Sequence, residues 1–270
     1  MVTTADLTST YTVSPELIAG YRQNGHVLLR GLASADEVAP YRRLITDATL
    51  RRSVGARPLA ERDTYGRAFL QVMNLWRDDA EVARFVMARR FAGVAGQLLG
   101  ADRVRIYHDQ ALFKEAGGGR TPWHQDALYW PLDGTRCITM WMPIVDVTPD
   151  MGVMAFASGS HLTGTLSDVT ISDDSDADFD TQLADGRYPV SEPLAMKAGD
   201  ATFHSGWTVH KARPNESATL REVMTVIWFA DGLTVQQPAN SAQQRDLTTW
   251  LAGLAPGDLA ASELNPLLPA

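Results

Sequence analysis

His124 and Asp126 stand two positions apart, just after a run of glycines. In an extended segment, residues two apart point to the same face, so both side chains can reach one metal ion. Two imidazoles and one carboxylate form the ligand set of mononuclear non-haem Fe(II) oxygenases, and His210 is the predicted third ligand. The pair alone is weak evidence, because a carboxylate falls two positions after a histidine by chance in about one case in ten.

The stretch around His210 strengthens this prediction. Residues 208–212 and 220–229 are predicted strands, and the Pro-Asn pair at 214–215 indicates a turn between them. If the connection centres directly after that pair, His210 lies opposite Arg221, and cross-strand partners share a face. A forked, permanently charged guanidinium suits a small dicarboxylate held against the metal by its far end.

Other histidines on the chain need separate interpretations. His204 competes with His210 for the third ligand position, but the hairpin register places it far from any guanidinium, which favours His210. His26, in an apolar strand, and His161, in a tight turn, are predicted to be structural. Arg221 could also form a plain ion pair across the sheet.

The order of these motifs resembles the phytanoyl-CoA dioxygenase family of 2-oxoglutarate oxygenases over nearly the whole chain. The segments that carry the resemblance are 21–32, His124-x-Asp126, 143–150 with Gly152, Gly159-Ser160-His161, Gly199-Asp200, His210, Arg221 and 265–268. The resemblance implies a distorted double-stranded β-helix that holds Fe(II) with His124, Asp126 and His210 and 2-oxoglutarate with Arg221. Other members carry a serine two residues after the distal histidine, where this chain has Ala212.

Further side chains are candidates for the pocket wall. His108 and Gln110 alternate on one strand face, so either could hydrogen-bond the cosubstrate. Trp141 stands at a position that looks like the family's tryptophan beside 2-oxoglutarate. Ordinary core packing explains these residues equally well. Tyr129 and Trp130, which follow the metal pair, are predicted to form an aromatic wall for the substrate.

Helical signals come first along the chain, and short apolar runs follow from Arg103. The predicted elements are a helix capped by Ser14-Pro15 and ended by Asn24-Gly25, a strand at 26–32, a helix from the Ser34–Glu37 capping box to about Thr49, a loop at 51–66 and a helix at 81–99. Helices followed by many strands predict an α+β fold with a jelly-roll or cupin-like core and flanking N-terminal helices.

Length, charge and cysteine content limit the class of protein. A chain of 270 residues can form one large domain, predicted here to span 1–270. The net charge of −8 argues against nucleic acid as a partner, and no stretch approaches the roughly 18 apolar residues of a membrane span. A single cysteine, Cys137, and an N-terminus without a secretory pattern predict a cytoplasmic protein, a monomer or homodimer.

Residues 167–186 hold seven aspartates and no Lys or Arg. The favoured interpretation is a solvated, mobile surface insertion, and the alternative is a lid over bound substrate. An acidic lid makes an anionic acyl-CoA a less attractive substrate.

The sequence therefore predicts a dioxygenase that uses Fe(II), 2-oxoglutarate and O2 for hydroxylation or a related C–H oxidation, such as desaturation, cyclisation or epimerisation. The aromatic residues Trp123, Tyr129 and Trp130 favour a small to medium organic substrate, such as a specialised metabolite. An acyl-CoA hydroxylase and a cupin-like metal protein without 2-oxoglutarate are the alternatives. If Arg221 does not bind the cosubstrate, Lys114 and Lys211 are the next candidates.

Overall fold

The computed structural model describes residues 7–269. In this part of the chain the helices are α1 Pro15–Asn24, α2 Ala35–Arg52, α3 Thr64–Ala68, α4 Ala80–Val86, α5 Arg89–Leu99, α6 Asp173–Leu183 and α7 Ser241–Trp250. The strands are β1 His26–Leu29, β2 Leu70–Met73, β3 Arg103–Phe113, β4 Thr121–His124, β5 Cys137–Pro143, β6 Met154–Phe156, β7 Ala201–Ser205, β8 His210–Ala212, β9 Val223–Ala230 and β10 Leu267–Pro269.

The predicted helix caps at the N-terminal end are confirmed. The Ser14 side chain accepts a hydrogen bond from the backbone of Leu17, and Gly25 ends α1 with a left-handed φ of 80°. Ser34 and Glu37 form the predicted capping box at the start of α2.

Two of the predicted elements are wrong in extent. The strand predicted for 26–32 ends at Leu29, because a turn with Gly31 at positive φ follows it. The helix predicted for 81–99 is two helices, α4 and α5, separated at Met87-Ala88. Both helices bury apolar side chains against the same core, and the break lets each present its own apolar face to it. The loop predicted for 51–66 is mostly irregular, although α2 extends to Arg52 and α3 begins at Thr64.

Two antiparallel sheets form the framework of the site. The larger sheet has the order β1-β7-β5-β9-β3-β10, with β2 also paired to β3, and the smaller sheet has the order β4-β8-β6. The main apolar core lies between the larger sheet and the N-terminal helices. This arrangement is the predicted α+β fold with a double-stranded β-helix. No helix in residues 7–269 combines the length and apolar character needed to cross a membrane.

The predicted hairpin between residues 208–212 and 220–229 is wrong. Strand β8 pairs with β4 and β6, so that His210 faces His124 and Phe156 across the smaller sheet. Strand β9 pairs with β3 and β5 in the larger sheet. Because the chain crosses between sheets after β8, Arg221 is a bridge partner of Lys114 and not of His210.

The acidic segment at 167–186 lies at the surface, as predicted, with most of its residues exposed, and it is structured. Most of it is the helix α6, which buries Phe179 and begins with a Ser172 capping box. Acidic residues in its first turn are stabilised by the helix dipole. Arg120 pairs with Asp173 and Asp176, at 2.6 and 2.7 Å. The segment is therefore packed against the strand that leads to the metal motif.

Candidate active site

His124, Asp126 and His210 come together at the facing ends of β4 and β8. One ligand atom from each lies within 4.8 Å of the others, a spacing that could hold a metal ion. The Oδ1 atom of Asp126 is 3.6 Å from Nε2 of His124 and 3.7 Å from Nε2 of His210. The cross-strand pairing of the two histidines fixes their separation.

Both imidazoles are oriented by the backbone. Nδ1 of His124 donates to the carbonyl of Pro122 at 2.8 Å, and Nδ1 of His210 donates to that of Thr208 at 2.9 Å. A proton on Nδ1 leaves the lone pair of Nε2 free for a metal. Burial lowers the pKa of both histidines to about 4, so they are neutral at physiological pH. The donor set and its protonation therefore fit a divalent metal such as Fe(II).

The second oxygen of Asp126 is already occupied. Oδ2 accepts a hydrogen bond from the Thr139 hydroxyl at 2.9 Å and lies 3.2 Å from Nε2 of His204. Burial alone would raise the pKa of Asp126, but the facing imidazoles hold it below its usual range. His204, the competing candidate for third ligand, is thus a partner of the carboxylate. The structure places it in the site but outside the group of three.

Arg221 is buried, 1% exposed, and lines the same cavity as the three ligands. Its guanidinium donates to the carbonyl of Gly152 at 2.5 Å and lies 5.4 Å from the ring centre of Trp141. Nε has no hydrogen-bond partner, and no carboxylate in residues 7–269 pairs with the guanidinium. Burial lowers the pKa of Arg221 to about 9. Such a cation is incompletely satisfied by the protein and fits an anionic ligand.

The two alternative cations occupy different surroundings. Lys114 is fully buried, donates to the carbonyl of Gly119, and has a pKa lowered to about 6 by burial and by Arg221. The Lys211 ammonium lies 4.3 Å from the ring centre of Trp123. Neither is as favourably placed as Arg221, since Lys114 does not line the cavity and Lys211 is held over an indole.

A cavity of about 530 Å³ joins these groups. The predicted wall residues His108, Gln110, Tyr129, Trp130 and Trp141 all line it. Trp123 was expected to join this aromatic wall and does not. Its indole donates to Asp180 on α6 at 3.1 Å, within a separate apolar cluster.

Gln110 belongs to a polar chain along the cavity wall. Tyr65 donates to Gln71 at 3.2 Å, and Gln71 donates to the side-chain oxygen of Gln110 at 2.5 Å. This arrangement leaves the amide N–H groups of Gln110 as donors toward the cavity.

His26 and His161 have the structural roles that were predicted. His26 is 2.9 Å from the Ser158 hydroxyl and stacks on Phe156, with 4.5 Å between ring centres. His161 donates to the carbonyl of Arg22 at 3.1 Å.

Sequence reasoning missed the wall that α7 contributes. Arg245, Asp246, Thr249 and Trp250 all line the cavity. A spacing of four residues, which places side chains on one helix face, was the available signal. Nothing in the sequence connects that face to the metal motif, which lies more than a hundred positions earlier. Thr170 and Ile171, before α6, also line the cavity.

Residues 21–223 match the model of the phytanoyl-CoA dioxygenase family. The chain therefore belongs to this family of proteins, as its motifs predicted. It is 27% identical over 154 residues to ectoine dioxygenase from Stutzerimonas stutzeri (strain A1501), covering 55% of this chain and 51% of that protein. The chain thus spans about half the length of the curated relatives that it matches.

Solved structures resemble the chain over more of its length. The non-heme alpha ketoglutarate dependent carbocyclase SnoK from nogalamycin biosynthesis has a TM-score of 0.78 and 26% identity, covering 96% of this chain and 99% of its own. The epimerase SnoN, in complex with Fe3+, alpha ketoglutarate and nogalamycin RO, has a TM-score of 0.72 and 27% identity, covering 93% and 97%.

Proposed function

We propose that the protein is an Fe(II)- and 2-oxoglutarate-dependent dioxygenase. In this proposal His124, Asp126 and His210 bind the iron, and Arg221 binds the distal carboxylate of 2-oxoglutarate. The observation that carries it is a buried guanidinium without an acidic partner among residues 7–269, in the wall of the cavity that also contains the three ligands. A dicarboxylate would neutralise this cation and reach the metal.

When bound, iron, 2-oxoglutarate and O2 would together oxidise a C–H bond of the substrate, and the oxo acid would be decarboxylated to succinate. The contribution of the protein side chains is to position the reacting groups. His204 and Thr139 hold one oxygen of Asp126 and leave the other for the metal. Aromatic side chains in the cavity wall would limit the access of water to the reacting groups once a substrate is bound.

Thr121 supplies the hydroxyl that Ala212 lacks. The two residues are cross-strand partners on β4 and β8, and both line the cavity with Arg221. A threonine at this position therefore presents its hydroxyl beside the place of the serine of other members, where it also accepts a hydrogen bond from Lys114 at 3.5 Å. Trp141, stacked near the guanidinium, and Gln110 complete the cosubstrate contacts, with His108 on the same strand.

The substrate is a small to medium organic molecule, in keeping with a cavity of about 530 Å³. The similarity to a carbocyclase and an epimerase supports hydroxylation or a related C–H oxidation, including ring closure and epimerisation, in specialised-metabolite biosynthesis. An acyl-CoA is not favoured, because the cavity cations Arg221, Lys211 and Arg245 lie on three separate segments of the chain, and Lys211 is held over the Trp123 indole. In a cupin-like metal protein that does not bind 2-oxoglutarate, the buried cation of Arg221 would have no anionic ligand. The protein is further proposed to be a cytoplasmic monomer or homodimer that does not bind nucleic acid or membranes.

Anaerobic titration tests this function. Addition of 2-oxoglutarate to the Fe(II) protein should produce a weak visible band near roughly 500 nm from chelation of the metal. 2-Oxovalerate, which replaces the distal carboxylate by a methyl group, should bind about a hundredfold more weakly to the natural protein. The absence of a band, or equal affinity for the two acids, would contradict the proposal.

A further inference from the structure

Helix α7 forms one wall of the cavity. Arg245 and Thr249, and likewise Asp246 and Trp250, are four residues apart and share a helix face. The helix lies beyond residues 21–223, the part that matches the family model. This wall is therefore outside the segment that carries the shared iron and cosubstrate chemistry.

Asp246 is held in place but incompletely satisfied. The Tyr107 hydroxyl donates to its Oδ2 at 2.9 Å, and Tyr107 is itself fixed by the ring of Trp130, at 5.6 Å between ring centres. Among residues 7–269 no cation makes an ion pair with Asp246, and its neighbour Arg245 acts on it only through its charge. Burial raises the pKa of Asp246 to about 7, as expected for a carboxylate with too few donors. Its Oδ1 atom is available to a ligand.

The helix is fixed to the metal motif. The side-chain amides of Asn240 and Gln243 both donate to the carbonyl of Leu128, at 3.2 and 3.3 Å. Leu128 belongs to the short 3-10 helix Asp126–Tyr129 that begins at the metal-binding aspartate. The position of Asp246 relative to Asp126 is therefore fixed. A fixed relative position is needed if both ends of the cavity are to contact the same substrate.

Flat aromatic surfaces surround this carboxylate. Trp130, Tyr129 and Trp250 line the cavity, and Trp250 also packs on His108 with 5.0 Å between ring centres. Such walls bind ring systems, and a few placed polar groups then fix their orientation. Arg245 on the same wall disfavours a cationic ligand.

We propose that Asp246 is a substrate-recognition residue, and that the substrate is a neutral aromatic or polycyclic molecule with a hydroxyl group that donates to Oδ1 of Asp246. The inference rests on the proposed function, because it assumes that the cavity binds the substrate of an oxygenase. The inference goes beyond that function by naming the chemical class of the substrate.

Three naphthalene probes test the proposal: 2-naphthol, 2-methoxynaphthalene and 2-naphthylmethylammonium. Binding to the anaerobic protein with Fe(II) and 2-oxoglutarate is followed by isothermal titration calorimetry. A hydrogen bond to a partly buried carboxylate should make 2-naphthol bind about tenfold more tightly than its methyl ether. Asp246→Ala should remove the difference, and Asp246→Asn should reduce it. Asp258→Ala, at an exposed position outside the cavity, should preserve it.

Equal binding of the naphthol and its ether, a preference that survives in Asp246→Ala, tighter binding of the ammonium, or no binding of any probe would overturn the proposal. The visible band of the 2-oxoglutarate complex is recorded on the same samples. A protein with the band but without the preference loses only the Asp246 assignment. A protein with the preference but without the band keeps Asp246 as a residue that binds a hydroxyl group and loses the proposed oxygenase function.

Discussion

Arg221, which is fully buried, and Asp246, which is partly buried, are groups of opposite charge in the wall of one cavity. Burial lowers the pKa of Arg221 to about 9 and raises that of Asp246 to about 7. Neither has a counter-ion in residues 7–269. A charged group that is removed from water without a counter-ion lowers the stability of the protein, and a bound ligand can offset that cost. Each of the two groups therefore indicates where a ligand atom of matching charge or hydrogen-bonding character would lie.

The two groups differ in how the fold holds them. Arg221 lies at a bridge between backbone segments, inside the family match, and the histidines near it are oriented by backbone carbonyls. Asp246 lies on a helix outside that match and is oriented by a tyrosine side chain. Backbone-held groups tolerate little change, whereas a helix face can change its side chains without altering the sheet. The metal end of the cavity is thus suited to a reaction that stays the same among related proteins. The α7 end is suited to a substrate specificity that differs among them.

The largest expected effect is at the metal end. His210→Ala should remove a ligand atom, lower Fe(II) occupancy to near zero, and reduce succinate formation by at least about a thousandfold. Metal analysis of the purified protein measures the first effect. His161→Ala, which alters a histidine outside the site, should keep its iron. Full iron in the His210 variant would show that the metal end is assigned wrongly.

Arg221→Ala should raise the KM for 2-oxoglutarate by about a hundredfold, because it removes charge-assisted hydrogen bonds to a desolvated carboxylate. Iron binding should change little, and the affinity for 2-oxovalerate should stay the same. Steady-state kinetics with the two acids checks this. An unaltered dependence on 2-oxoglutarate would transfer the role to another cation, with Lys114 and Lys211 next.

His204→Phe should lower the affinity for Fe(II) by about tenfold, since it removes the donor to Asp126 while keeping an aromatic ring beside Phe156. The matched control is His26→Phe, which alters another imidazole packed on Phe156 without touching Asp126. Metal titration of both variants separates positioning from packing. Equal affinities in the two would remove the positioning role of His204.

The smallest effect is expected for the acidic helix α6. Asp180→Ala should lower the free energy of unfolding by about 1 kcal/mol, because the Trp123 indole loses its acceptor. The KM for 2-oxoglutarate should stay within about twofold, since Trp123 lies outside the cavity. Denaturant unfolding and kinetics measure the two, with Asp178→Ala on the same helix as the control. A large change in KM would connect α6 to the chemistry.

Part of this protein is predictable from local sequence. Caps at Ser14, Gly25 and Ser34 act within a few residues, and the structure confirms them. The His124-x-Asp126 spacing is also local, because alternation along an extended chain puts both side chains on one face. The sequence also identified Arg221 as a cavity residue, although by a pairing that does not occur.

Tertiary structure alone decided the rest. A turn signal at 214–215 cannot distinguish a hairpin from a crossing between sheets, and here the chain crosses, so that His210 pairs with His124. The interruption between α4 and α5 depends on how each packs on the core. The role of His204 as partner of Asp126 and the approach of Asp246 on α7 to the cavity depend on contacts between residues far apart in the chain. The sequence by itself determined the candidate ligand types and the local caps, because residue identity and short-range sterics and hydrogen bonds set them. Long-range packing decided which side chains meet.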